Sequence, residues 1–356
     1  MGQRGEAGDG FYLVYAKSIS HDIPKRNSFT MNVLIFSHES DLDGLLSAAI
    51  GLIRYPQART IFLGNGRETF RTIAYFVNRL AVSSPRRDKG LIIICDLALS
   101  DDTPSIDLAK SSFSDARNAG FDIVWLDHHP WSDKSRASIQ PYAELRLDVT
   151  QSKCAAELMY EKFVHGNVMA FTLASLAHSM DFFKRELYLT PISELIVYYL
   201  SSADRYDRMS SLAAKVSRGI LWDLEMQKDY TSYARLRDRA KADSFQTLEL
   251  RRFGDKFKAA ILRSSPYIQN SLFAQEIFEK TSSDVVMLYG PDNKVSIRRN
   301  NDQISCRKIA LNFPEGGGHD FAAGAKFRSA IGDHDQIVKE LEEALSKVVP
   351  EVHSPH

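Results

Sequence analysis

An α/β chain of two lobes is what this sequence predicts: an N-terminal parallel sheet flanked by helices, a helical connector, and a smaller C-terminal α/β domain. Three observations predict it. Short apolar runs at Val33–Phe36, Leu91–Cys95 and Ile123–Leu126 alternate with segments of helical periodicity, as buried parallel strands do. A second group of strand-like runs follows a long charged helical stretch. The length, 356 residues, exceeds one ordinary domain.

Taken in order, residues 1–30 are rich in Gly, Ser and charge and precede a second methionine, Met31; they read as an extension, with an apolar patch from Phe11 to Ala16 that suits an edge strand. The strand at Val33–Phe36 is followed by a helix over Leu45–Ile53, and further helices are expected over Glu68–Ala81 and Thr103–Asn118. Residues 31–225 are assigned to the first domain. Helices dominate from Ala155 to Leu262, and the charged stretch Trp222–Lys256 suits a connecting helix pair, with the connector placed at 226–258. Residues 259–350 form the second domain. Its strands are expected at Ala259–Leu262, Val285–Tyr289 and Lys294–Arg298, with turn residues Pro291, Asp292 and Asn293 between the last two.

Lys plus Arg and Asp plus Glu are both 45, so the formal net charge is zero. A protein that coats long duplex DNA carries a basic excess; neutrality favours a short substrate in a local basic pocket. The cysteines Cys95, Cys154 and Cys306 are far apart and read as reduced thiols, not a disulfide framework or a zinc site. No run approaches the roughly 20 apolar residues of a membrane span. A cytoplasmic protein is expected, with no membrane partner.

The chemistry gathers at the strand ends. Open α/β sheets bind ligands beyond the carboxyl ends of their strands. Here those ends carry His38, Asp41 and Asp43, then Asp96, then Asp127, His128 and His129. So many carboxylates in one crevice repel unless cations intervene. Mixed carboxylate and imidazole ligands suit Mn²⁺, with Mg²⁺ as an alternative. Any one of these pieces alone is an ordinary cap or loop; their recurrence at three strand ends points to a metal site. Two cations about 3.5–4 Å apart suit a phosphoryl displacement.

These residues resemble the DHH phosphoesterases. Ser37-His38-Glu39-Ser40-Asp41-Leu42-Asp43-Gly44 is similar to the family's first motif, Cys95-Asp96-Leu97 to the second, and Asp127-His128-His129 to the third. Ser202-Ala203-Asp204-Arg205-Tyr206-Asp207 resembles the fourth. Gly316-Gly317-Gly318-His319, with Ala322-Ala323-Gly324, resembles the glycine-rich signature of the DHHA1 substrate-binding domain, and Val295-Ser296-Ile297-Arg298 its arginine-bearing strand. The resemblance implies two ions. His38, Asp41 and Asp96 would hold one; Asp43, Asp96, His128 and either Asp204 or Asp207 would hold the other. It makes Asp127 and His129 catalytic, the first orienting an imidazole and the second contacting phosphate. Arg298, Gly316, Gly317, Gly318 and His319 would bind substrate. Two departures stand out: His38-x-x-Asp41 is one residue shorter than the inorganic pyrophosphatase pattern, and Glu315 stands where a fourth glycine is common.

The branch most resembled is the nano-RNases, which implies hydrolysis of short oligonucleotides to mononucleotides. The alternatives are a RecJ-like single-stranded DNA exonuclease, a cyclic or linear dinucleotide phosphodiesterase, and, from another class, a nucleotide-binding module. The implied partners are short single-stranded RNA or DNA oligonucleotides or dinucleotides, with a homodimer compatible. Tyr289 and Phe313 could stack on bases, though core packing suits both better.

Overall fold

A computed structural model describes residues 32–64, 67–83, 90–99, 101–150, 152–182, 189–253, 257–290, 293–327 and 334–348. The apolar patch at Phe11–Ala16 lies outside them.

In the first lobe, alternating apolar runs and amphipathic segments become β1 (Asn32–His38), α1 (Leu42–Arg54), β2 (Arg59–Leu63), α2 (Arg67–Ser83), β3 (Gly90–Cys95), α3 (Thr103–Asn118), β4 (Phe121–Asp127), α4 (Asp133–Ile139) and β5 (Glu144–Leu147). The strands pair in parallel in the order β2-β1-β3-β4-β5. Strand side chains alternate between faces, and here both faces are covered. Ile35 and Ile93 join one core cluster, whereas Leu34, Phe36, Ile92 and Ile94 join the other. This is why these strands read as unbroken apolar runs.

β2 and β5 escape the sequence reading because they are short edge strands in which polar residues interrupt the run (Arg59, Thr60; Glu144, Arg146). Among the described residues, the helices α5 (Ala155–Phe163), α6 (Val168–Asp181), α7 (Thr190–Leu200), α8 (Arg205–Val216) and α9 (Leu224–Phe245) follow. The expected helix pair over Trp222–Lys256 is instead one helix, α9, and a strand, β6 (Glu249–Phe253). β6 alternates half-buried and exposed residues; its arginines hid that period-2 pattern within a charged stretch.

The second lobe continues with β7 (Phe257–Arg263), α10 (Asn270–Thr281), β8 (Val285–Tyr289), β9 (Lys294–Arg299), α11 (Cys306–Ala310), β10 (Gly317–Gly318), β11 (Ala322–Lys326) and α12 (His334–Ser346). Its sheet runs β10-β11-β9-β8-β7-β6, with β7 and β8 parallel and the other neighbours antiparallel. Tyr289 is only 2% exposed, in the core, and Phe313 packs edge-on against Phe327 at 5.6 Å between ring centroids. Tyr289 is thus closed to a base, and Phe313 packs against the same core. The three cysteines are free and buried. Among the described residues, no helix is long and apolar enough to cross a membrane.

Candidate metal centre

The β1–α1 junction is built by local chemistry. Asp41 caps α1, accepting from the Gly44 N–H at 3.1 Å, which satisfies one of the orphan donors of the first turn. The Ser37 hydroxyl donates to Gly44 O at 2.6 Å. A Cβ on Gly44 would lie 2.1 Å from His38 O, so only glycine lets the helix start this close to the strand end. His38 Nδ1 lies 2.8 Å from Asp41 Oδ2 and 3.4 Å from Asp96 Oδ2.

Asp43, on the buried side of α1, has both oxygens fixed. Oδ2 accepts from the Ala155 N–H and Oδ1 from the Ala156 N–H, each at 2.8 Å. The N-terminus of α5 thus holds this carboxylate, where the helix dipole favours negative charge.

Asp96 ends β3 with φ +58°, a left-handed conformation that costs a non-glycine residue roughly 1–2 kcal/mol. Strain of this kind persists where surroundings over-determine it. The Asp96 N–H donates to Leu126 O at 3.0 Å. Its carboxylate faces two ways: Oδ2 toward His38 and Oδ1 toward His128 Nε2, at 3.4 Å.

Asp127 is fully buried and saturated. It accepts from the backbone N–H of His128 (2.9 Å) and His129 (3.3 Å) and from Trp131 Nε1 (2.7 Å), and His129 Nδ1 sits 2.7 Å away. Trp131 is itself propped edge-on by Trp125 at 4.7 Å. Asp127 therefore orients His129.

The electrostatics describe a site short of positive charge. Burial pushes Asp43 well up, with the charges of Asp96 and Asp181 adding to it. Burial likewise raises Asp181 to about 6. Burial would lower His128, but Asp96, Asp181 and Asp43 outweigh it and push it up to about 11. His38 is raised against its burial by Asp41 and Asp96. Asp96 is held well below the carboxylate range: His128 and His38 outweigh its burial.

The donor set fits divalent cations. Asp96 Oδ2 and His128 Nδ1 are buried and make no hydrogen bond. Ligand atoms of His38, Asp41 and Asp96 lie within 4.8 Å of one another, and so do those of Asp43, Asp96 and His128. The two groups share Asp96.

The second lobe closes over this cluster. The His319 ring lies 5.5 Å from that of His128 and 5.4 Å from that of His129, stacked at 27° on the latter. Burial and the His129 and His128 charges push His319 down to about 4. Arg298 Nη1 donates to Ser296 Oγ (3.0 Å) and Ile297 O (2.9 Å), and Nη2 to Ser271 Oγ (3.1 Å). Its Nε is buried with no hydrogen-bond partner, and the guanidinium feels the charge of Asp41. A Cβ on Gly316 would sit 1.9 Å from Ala310 O, and Gly318 has φ +122°; these two glycines are demanded by backbone geometry. Gly317 meets nothing within 4 Å. The His319 N–H already donates to Ala322 O at 2.7 Å.

Comparison with known proteins follows this division. The DHH family N-terminal domain matches residues 32–181, and the DHHA1 domain matches residues 270–347. The chain belongs to the DHH phosphoesterase family. DHH proteins are metal-dependent phosphoesterases, and this chain is an enzyme of that kind. No curated protein matches the sequence significantly. Among solved structures, a protein described as a member of the s1p family of ribosomal proteins, DHH domain, is 13% identical over 98% of this chain and 93% of its own, with a TM-score of 0.60; that likeness is one of fold. An uncharacterized protein from Helicobacter pylori G27 is 17% identical, covering 89% of this chain and 99% of that one at a TM-score of 0.43. An exopolyphosphatase-related protein from Bacteroides fragilis is 14% identical, covering 97% and 98%, at 0.48.

The DHH motifs at His38, Asp41, Asp43, Asp96, Asp127, His128 and His129 converge, and Arg298 and His319 face them from the DHHA1 lobe. Asp204 and Asp207 do not join them. Asp204 is exposed and gripped by Arg208 Nε at 2.9 Å from both its oxygens. Asp207 lines a surface pocket with Tyr199, Arg208, Lys215 and Asp229. Asp181, at the end of α6, lies closer in, its Oδ2 3.6 Å from His128 Nδ1. Asp204 and Asp207, the choices the resemblance offered, thus stand apart from the grouped ligand atoms, and Asp181 lies beside them. A signal existed: an Asp in the last turn of a helix opposes the macrodipole and needs an external reason, whereas Asp204 and Asp207 sit at a helix start, where acids are ordinary.

Proposed function

We propose that this DHH enzyme hydrolyses phosphodiester bonds in short oligonucleotides, releasing mononucleotides, with two Mn²⁺ ions. The observation that carries the reading is Asp96, whose two oxygens face two ligand groups beneath the histidine of the second lobe. His38, Asp41 and Asp96 would hold one ion; Asp43, Asp96, His128 and Asp181 the other. When bound, the pair supplies Lewis acidity that makes a water nucleophilic near neutral pH and neutralises charge on phosphorus oxygens.

The chain's own groups do the rest. Asp127 keeps His129 Nδ1 engaged, leaving Nε2 to meet a phosphoryl oxygen as negative charge develops there. His319, stacked on His129, lies where it can receive the same phosphate. Arg298 is locked by Ser296 and Ser271, so its guanidinium is pre-positioned, and it offers charge-assisted donors to a terminal or neighbouring phosphate. Reading a chain end with one fixed arginine suits short substrates and agrees with a chain of zero net charge.

The test is incubation of the purified protein with Mn²⁺ and end-labelled RNA and DNA of graded length. Dimers to pentamers should yield mononucleotides, with long strands spared. Cleavage of polyphosphate or cyclic dinucleotides with no product from short oligonucleotides would overturn the reading.

A further inference from the structure

Two carboxylates flank His128, Asp43 at 3.8 Å from Nε2 and Asp181 at 3.6 Å from Nδ1; Asp43, on α1, is held by the start of α5, and Asp181 ends α6. Helices α5 and α6 meet inside a core cluster of largely small or flexible side chains, Ala155, Ala156, Met159, Ala170, Ala174 and Ala177. Such packing is non-directional and does not by itself fix how one helix end sits against the other.

A polar contact links them. Glu157 Oε2 accepts from the Cys154 N–H at 2.9 Å, capping α5, and the same oxygen lies 2.7 Å from His178 Nδ1 on α6. The cap needs only the first of these bonds. The second reaches across to a residue three positions before Asp181. Cys154, Ala155 and Ala156 are consecutive, so the N–H held by Glu157 directly precedes the two that grip Asp43. At the other end, the His178 ring packs at 4.6 Å on Phe182, the residue after Asp181, and Phe182 in turn lies 6.4 Å from the His128 ring.

We propose that Glu157 and His178 are positioning residues that tie the two helix ends together and so set the spacing of Asp43 and Asp181 around the second ion. The proposal rests on the two-cation reading above. Among the described residues, neither belongs to the grouped ligand atoms. Partners of this kind, one bond removed from a ligand, alter metal affinity by roughly 10–100-fold when removed.

The experiment is a Mn²⁺ titration of the full chain, followed by electron paramagnetic resonance of the free ion, with thermal unfolding of the metal-free protein in parallel. Glu157→Ala and His178→Ala should weaken one of two binding steps by roughly 10–100-fold and leave the other, at His38 and Asp41, where it was. Glu157→Gln keeps an oxygen for both donors and should stay within a few-fold of the unaltered chain. Two unshifted steps in both alanine variants would overturn the tie and leave the two-cation reading standing. Equal weakening of both steps with a lowered Tm would also overturn it, since that is general loosening. An unaltered chain that binds no Mn²⁺ would bring down the two-cation reading, and the tie with it.

Discussion

The two lobes present their functional groups in opposite ways. In the first, charges are dense, buried and held at several points each: Asp43 by two backbone N–H groups, Asp127 by two backbone N–H groups and an indole, Asp96 by a strained backbone. In the second, one arginine on β9 and one histidine just after β10 stand over that cluster. Dense like charge is tolerable only when geometry is over-determined and cations complete it; a reader of phosphate needs few groups, provided they are pre-positioned. Losses should therefore be steep and shared in the first lobe, and graded and substrate-dependent in the second.

The sharpest break is Asp96→Ala. Removing the one carboxylate that faces both ligand groups should lower kcat/KM by at least roughly 10³-fold at saturating Mn²⁺, the upper end of what a single electrostatic contributor supplies. Activity within a few-fold of the unaltered enzyme would end the shared-ligand assignment. Next is Asp181→Asn, which should weaken Mn²⁺ binding roughly 10- to 100-fold, while Asp204→Asn and Asp207→Asn stay within a few-fold. The reverse ranking, read from initial rates across a Mn²⁺ series, would restore the sequence-based choice.

Arg298→Ala tests the other lobe. Losing a charge-assisted contact costs on the order of 1.5–3 kcal/mol, roughly a tenfold to hundredfold fall in kcat/KM, with metal affinity unmoved. His319→Ala should behave alike. The double variant should lose less than the sum, since neighbouring contacts to one phosphate are not additive. A dinucleotide-to-pentanucleotide series in which Arg298→Ala changes nothing would refute the end-reading role.

A smaller effect follows from proton linkage. Asp181 is raised to about 6 in the folded metal-free protein, above its value in an unfolded chain of about 3.9. Between those values the folded state binds more protons, so its stability falls as pH rises from about 4 to 6. Mn²⁺ must displace that proton, so its affinity should rise through the same window. Asp181→Asn should flatten both profiles, as followed by Tm and by metal titration; unchanged profiles would show that another group titrates. The smallest expected effect is at Glu315, which holds φ +50°. Glu315→Gly should relieve up to about 1 kcal/mol of left-handed strain, offset in part by losing an exposed pair with Lys326. A Tm that falls would mean the ion pair outweighs the strain.

Much of this was legible in the sequence, and the exceptions share a cause. The central strands β1, β3 and β4 are apolar on both faces, so they stand out; β2, β5 and β6 carry polar residues at edges and vanish into their surroundings. The first three motifs were legible because each lies within a few residues of a strand end, where local geometry fixes direction. The carboxylate beside His128, Asp181, was not. Asp204 and Asp207 had the better local pattern, but that pattern is a helix start, and Arg208 takes up Asp204.

Residues 37–44, Asp96 and residues 127–129 settle their own placement: a buried strand must end, its helix must be capped, and Gly44 must be a glycine for the two to meet. What tertiary structure decided is which distant groups complete them. Asp181 comes beside His128, and Ser271 meets Arg298, through the packing of helices against the two sheets. That packing is non-local and driven by apolar area, which constrains the burial of a helix face far more tightly than which polar residue stands at its end.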